Sequence, residues 1–151
     1  MTESFVIQSS IEQLPSVEER LFHFCQECHV GNYYSAVSVA TLQAVENAIV
    51  HGNGSDAAKR VAITFDTCRG GIAVSVADEG AGFDYQSYGS LPTGDSHQGE
   101  GIFVMKSLAD RMEYSDEGRQ VRMEFLVAGI DPSDALERIA VLQGVFPLVA
   151  A

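Results

Sequence analysis

The sequence predicts a two-layer α/β sandwich, with a mixed, mainly antiparallel sheet covered by helices on one face. Three observations point there. Segments rich in Val, Ile and Phe come in pairs joined by short turns, which indicates hairpins. Helical segments are grouped between those pairs rather than alternating one-for-one with strands. The 151-residue length suits one compact domain.

The elements follow in order. "SFVIQ" (Ser4–Gln8) reads as a strand. Pro15 and Ser16 open a helix whose first turn is favoured by Glu18 and Glu19. "GNYYS" (Gly31–Ser35) breaks it, and a second helix is predicted from about Ala36 to His51. "RVAITFDT" and "GIAVSVAD" alternate as a hairpin joined by "CRGG". Glu79–Gly101 follows with six glycines, a length usual for a functional lid. A third helix is predicted over Ile102–Met112, and "EYSDEGRQVRMEFLV" reads as strand, turn at Glu117–Gly118, strand. Asp131 and Pro132 then open a last helix. The domain is taken as 1–129, with 130–151 a helical extension packed on or beside it.

Composition limits the function. Hydrophobic residues make up 46% and charged residues 20%, as in globular proteins rather than disordered ones. The net charge of -12 repels phosphate backbones, so direct nucleic-acid binding is not expected. It suits a basic protein partner. No apolar run reaches the roughly 18 residues that cross a bilayer, and the N-terminus lacks the pattern of an export signal. No membrane association is expected, and the cytoplasm is the expected location. Cys25 and Cys28 have zinc-like spacing. They also share an apolar helix face with Leu21 and Phe24, and no second ligand pair follows, so a core helix is the reading adopted.

Three short motifs carry chemistry. In "ENAIVHG" (Glu46–Gly52), Asn47 lies four residues from both Gln43 and His51, which puts a polar stripe on an otherwise apolar helix. Such a stripe faces either solvent or a ligand. In "DEGAGFD", Asp78 ends a strand, where a carboxylate can accept a hydrogen bond from an exocyclic amine such as that of adenine. Gly80 and Gly82 allow a flat ligand to approach the backbone. In "GEGIFVMKSLAD", Gly99 and Gly101 precede a helix whose N-terminus can receive phosphate. Each motif is weak alone. The chain holds neither the dinucleotide fingerprint nor a Gly-Lys-Ser/Thr phosphate loop.

In this order and spacing, the three motifs resemble the asparagine box and two glycine boxes of the GHKL ATP-binding fold. The wording is most similar to bacterial anti-sigma factor serine kinases, over about Ser4–Val127. The resemblance implies ATP and Mg2+ as ligands. Asn47 would be the metal ligand, and an amide oxygen suits Mg2+. Asp78 would take the adenine amine, with Gly80 and Gly82 shaping its pocket. Asp84–Gln98 would be the lid, and Gly99, Glu100, Gly101 and Ile102 would meet the phosphates. His51 falls in the pocket neighbourhood, and His97 is either a nucleotide contact or an ordinary polar lid residue. The resemblance also implies a sigma factor and an anti-sigma antagonist as partners, serine phosphorylation of the antagonist, and a homodimer.

Two positions depart from that family. The catalytic base, a glutamate four residues before the asparagine, is here Gln43, whose neutral amide cannot accept a serine proton. Glu46 is the nearest acidic substitute, but one residue's 100° rotation turns it away from Asn47. "GRQV" replaces a Gly-Thr-Thr-like run, putting Gln120 in that place with Arg119 and Arg122 as charge partners. The alternatives are therefore a catalytically weak or inactive ATP-binding partner-switching module and a detached histidine-kinase-like ATPase domain. Phosphoryl transfer rests largely on positioning, so losing the base need not abolish it.

Overall fold

The computed structural model of the chain describes residues 1–88 and 97–127. The 130–151 extension, most of the lid, and the side chain of His97 lie outside the described residues. Five strands form one sheet: β1 (Thr2–Gln8), β2 (Arg60–Cys68), β3 (Gly71–Ala77), β4 (Arg111–Ser115) and β5 (Gln120–Leu126). Their order is β1-β2-β3-β5-β4, and every neighbouring pair is antiparallel. Three α-helices accompany them: α1 (Leu14–Glu27), α2 (Tyr34–Asn47) and α3 (His97–Leu108).

The two-residue period of the strands decides which face is covered. Val61, Ile63 and Phe65 of β2 are fully buried between the more exposed Arg60, Ala62 and Thr64. Ile72, Val74 and Val76 of β3 continue the same row, as do Val121, Met123 and Phe125 of β5. Leu21, Phe24 and Cys25 of α1 and Val37 and Val45 of α2 join these strands in a single core. Each large side chain taken fully out of water contributes about 1.5–3 kcal/mol. Cys25 belongs to this core, and burial pushes its thiol up to about 12, far from the thiolate that a metal needs.

Several boundaries differ from the sequence expectation, and those around the helices matter most. The α-helical part of α2 ends at Asn47 and continues as a π turn over Ala48–Gly52. Helix α3 begins at His97, five residues before the expected Ile102, and ends at Leu108. Arg111 and Met112 are consequently strand residues of β4.

Asn53, in a stretch that reads as a polar loop, is 2% exposed. Its amide nitrogen donates to Ser9 Oγ at 2.8 Å and to the Arg60 carbonyl at 3.0 Å. Its side-chain oxygen accepts from the Glu79 N–H at 2.7 Å, and its own N–H donates to the Ala48 carbonyl. One residue thus ties the ends of β1, β2 and β3 to the π turn. Asn53→Ala removes three hydrogen bonds, one of them to the buried Ser9 hydroxyl, and is expected to lower stability by roughly 1–3 kcal/mol in urea unfolding.

Candidate functional site

The π turn widens the helix just after Asn47, a feature frequent at functional sites. Asn47, His51 and Gly52 all line one cleft. Its floor is apolar, with Ala44, Ala48, Val76, Met105 and Val121, and its empty space is about 520 Å³ including the part open to solvent. The Asn47 amide nitrogen donates to Met105 Sδ at 3.8 Å. Its carbonyl oxygen accepts no hydrogen bond among the described residues.

Asp78 enters from the end of β3. Its Oδ1 accepts the Gly80 N–H at 2.8 Å, while Oδ2 has no hydrogen-bond partner among the described residues. Burial raises the carboxyl above the usual carboxylate range. The backbone closes tightly around it. A methyl group on Gly52 would sit 2.4 Å from the Asp78 carboxyl carbon, and one on Gly80 would sit 1.9 Å from the Gly52 carbonyl oxygen. Gly82 adopts φ +82° against the Glu117 carbonyl, where a side chain is excluded twice over.

The third wall involves α3. A methyl group on Gly101 would lie 2.9 Å from Gln43 Oε1 and within 3.3 Å of both Asn47 amide atoms. The absent side chain is what lets α3 press onto α2 at the asparagine. Because the helix starts at His97, Gly101 and Ile102 lie past the first four N–H groups that a helix start offers to an anion. Ile102 is 1% exposed and its side chain belongs to the interior.

Among the predicted residues, Asn47, His51, Asp78 and Gly82 line the cleft, and Gly80 and Gly101 shape it from behind. Gln43, Glu46, Gly99, Glu100 and Ile102 are not among its lining residues. Sequence reasoning missed Gly52, Phe83, Met105 and Tyr114, and it placed Arg119 only as a charge partner. Only Gly52, directly after the asparagine motif, carried a signal that could have been read.

Among the described residues, no group of three or more His, Cys, Asp and Glu side chains is gathered to hold a metal. The Asn47 amide oxygen, at the cleft, is a hard donor of the kind that would suit Mg2+.

The model of the histidine kinase-like ATPase domain matches residues 8–125, nearly all of the described chain. The chain belongs to the histidine kinase-like ATPase family. Two relatives are Anti-sigma F factors of Clostridium perfringens. That of strain SM101 is 30% identical over 93 residues, covering 58% of this chain and 66% of the relative. That of strain 13 is 32% identical over 96 residues, covering 58% and 69%. This histidine kinase-like domain thus spans about two thirds of the length of these relatives.

Two outcomes follow from the geometry. Gly101→Ala gains helix propensity while displacing Gln43 and Asn47. It should change stability by less than about 1 kcal/mol yet weaken adenine-nucleotide binding about tenfold by calorimetry. Asp78 binds its proton more tightly folded than unfolded, so it costs stability as pH rises through the carboxylate range. Asp78→Asn removes that slope. In thermal unfolding from pH 3 to pH 7, the variant's advantage over the parent chain should grow with pH, while nucleotide binding is lost.

Proposed function

We propose that this domain binds ATP with Mg2+ and works as an anti-sigma regulatory factor, phosphorylating a serine of an anti-sigma antagonist and sequestering a sigma factor when that antagonist is absent. The observation that carries the reading is the meeting of Asn47, Asp78 and the Gly101 contact around one cleft, inside the segment matched by the family. The names of the Clostridium perfringens relatives support a sigma factor as the partner.

In this reading Asp78 Oδ2 accepts the adenine amine, and the apolar floor excludes water from the ring. Asn47 offers its amide oxygen to Mg2+, which when bound offsets the charge of the phosphates. The start of α3, with Gly99 and Glu100, faces the phosphate end with the positive pole of its helix dipole. The chain works as a homodimer in the cytoplasm, without contacting nucleic acid or membrane.

A second reading, a nucleotide-gated binding module with little transfer activity, is favoured by Gln43. Its amide oxygen packs toward Gly101, and no carboxylate occupies the base position. Labelled ATP, Mg2+ and the antagonist separate the two: label on serine supports the kinase, and none at saturating nucleotide supports the module. Gln43→Glu is nearly isosteric and should raise transfer on the order of 10²-fold. An unchanged rate would overturn the role given to position 43.

A further inference from the structure

We propose that Arg119 is the positioning residue that sets base selectivity in the cleft, by holding the Asp78–Gly82 turn so that Asp78 presents one oxygen to the base. The inference rests on the nucleotide reading above and goes beyond it to the choice of base.

Arg119 sits at the start of β5, with its side chain 27% exposed and lining the cleft. Its Nε donates to the Gly80 carbonyl at 2.8 Å, and one terminal nitrogen reaches the Ala81 carbonyl at 3.4 Å. The other terminal nitrogen holds the opposite loop, through the Asp116 carbonyl at 3.2 Å and the Asp116 and Glu117 carboxylates at 3.4 Å. The backbone doubles the link. The Asp78 N–H donates to the Arg119 carbonyl at 2.9 Å, and the Phe83 N–H donates to the Glu117 carbonyl at 3.0 Å.

The loop being gripped is itself under constraint. Asp116 and Glu117 both adopt left-handed backbone, at φ 51° and 58°. Two successive non-glycine residues there persist only where surrounding contacts over-determine them. A planar guanidinium reaches carbonyls on two loops at once, which a lysine ammonium on a single stem does not reproduce.

The consequence for the base is direct. Gly80 lies between the Arg119 grip on its carbonyl and its own N–H bond to Asp78 Oδ1. Holding Gly80 therefore holds the carboxylate rotation, and Oδ2 keeps one direction. A fixed acceptor takes the amine of adenine. It rejects the carbonyl that hypoxanthine carries at the same ring position, because two acceptors then face each other without a proton.

The test measures calorimetric affinity of the full chain for ATP and for inosine triphosphate, with Mg2+, in the parent chain, Arg119→Lys and Arg119→Ala. The parent chain should prefer ATP. Arg119→Ala should lose about tenfold or more in ATP affinity, and its ATP-to-inosine preference should collapse toward one. Arg119→Lys should retain the fold by circular dichroism but recover little of that preference. If both variants bind ATP more weakly with the preference intact, Arg119 is structural only and the proposal is overturned. Should Arg119→Ala not fold, Arg119→Lys decides alone, by whether the preference falls. A parent chain that binds neither nucleotide would instead overturn the nucleotide reading itself.

Discussion

The site depends on a backbone-to-backbone contact. The chain at Gly52 and the chain at Gly80 approach so closely that neither tolerates a side chain, and the Asp78 carboxyl is enclosed between them. That contact joins the end of the helix layer to the end of β3. It fixes a carboxylate relative to Asn47, five residues before Gly52 on the other element. Burial raises the proton affinity of Asp78, so the arrangement is held at some cost to stability at neutral pH. Strained or costly groups persist where the neighbouring structure compensates, and here the compensation is local.

Asn53 supplies much of it. Its side chain bridges three strand ends and positions the Glu79 N–H next to the carboxylate. From the other side, Arg119 holds the Gly80 and Ala81 carbonyls. Gly101 lets α3 settle against Asn47, which in turn contacts Met105 of α3. The polar end of the cleft is thus braced by a buried amide, a guanidinium and a glycine contact, while the core row through Ile63, Val74 and Met123 carries the overall stability.

The strands were legible because Val, Ile and Phe alternate cleanly in β2 and β3, so period and hairpin both follow from the residues. The family and its cleft were legible because asparagine and aspartate motifs kept their order, and Asn47 and Asp78 indeed share a cavity. What was hidden depends on distant partners. Gly99 and Gly101 read as a loop just before a helix, since glycine costs roughly 1 kcal/mol in a helix interior, yet α3 runs through both and Gly101 packs on α2. Asn53 reads as a turn residue until Ser9 and Arg60 are brought beside it. The π turn leaves no pattern of its own, so the sequence reads as regular helix to His51.

Asn47, Asp78 and Gly82 line one cleft, with Gly80 and Gly101 packed behind it. Amide chemical shifts of the full chain during titration with ATP and Mg2+ report on nucleotide seated in that cleft. The amides of Asn47, Gly52, Gly80, Gly82 and the start of α3 should move together, with one affinity, while the amides of the outer β1 edge stay still. Shifts confined to another face, or none at saturating nucleotide, would show that this cleft is not a nucleotide site.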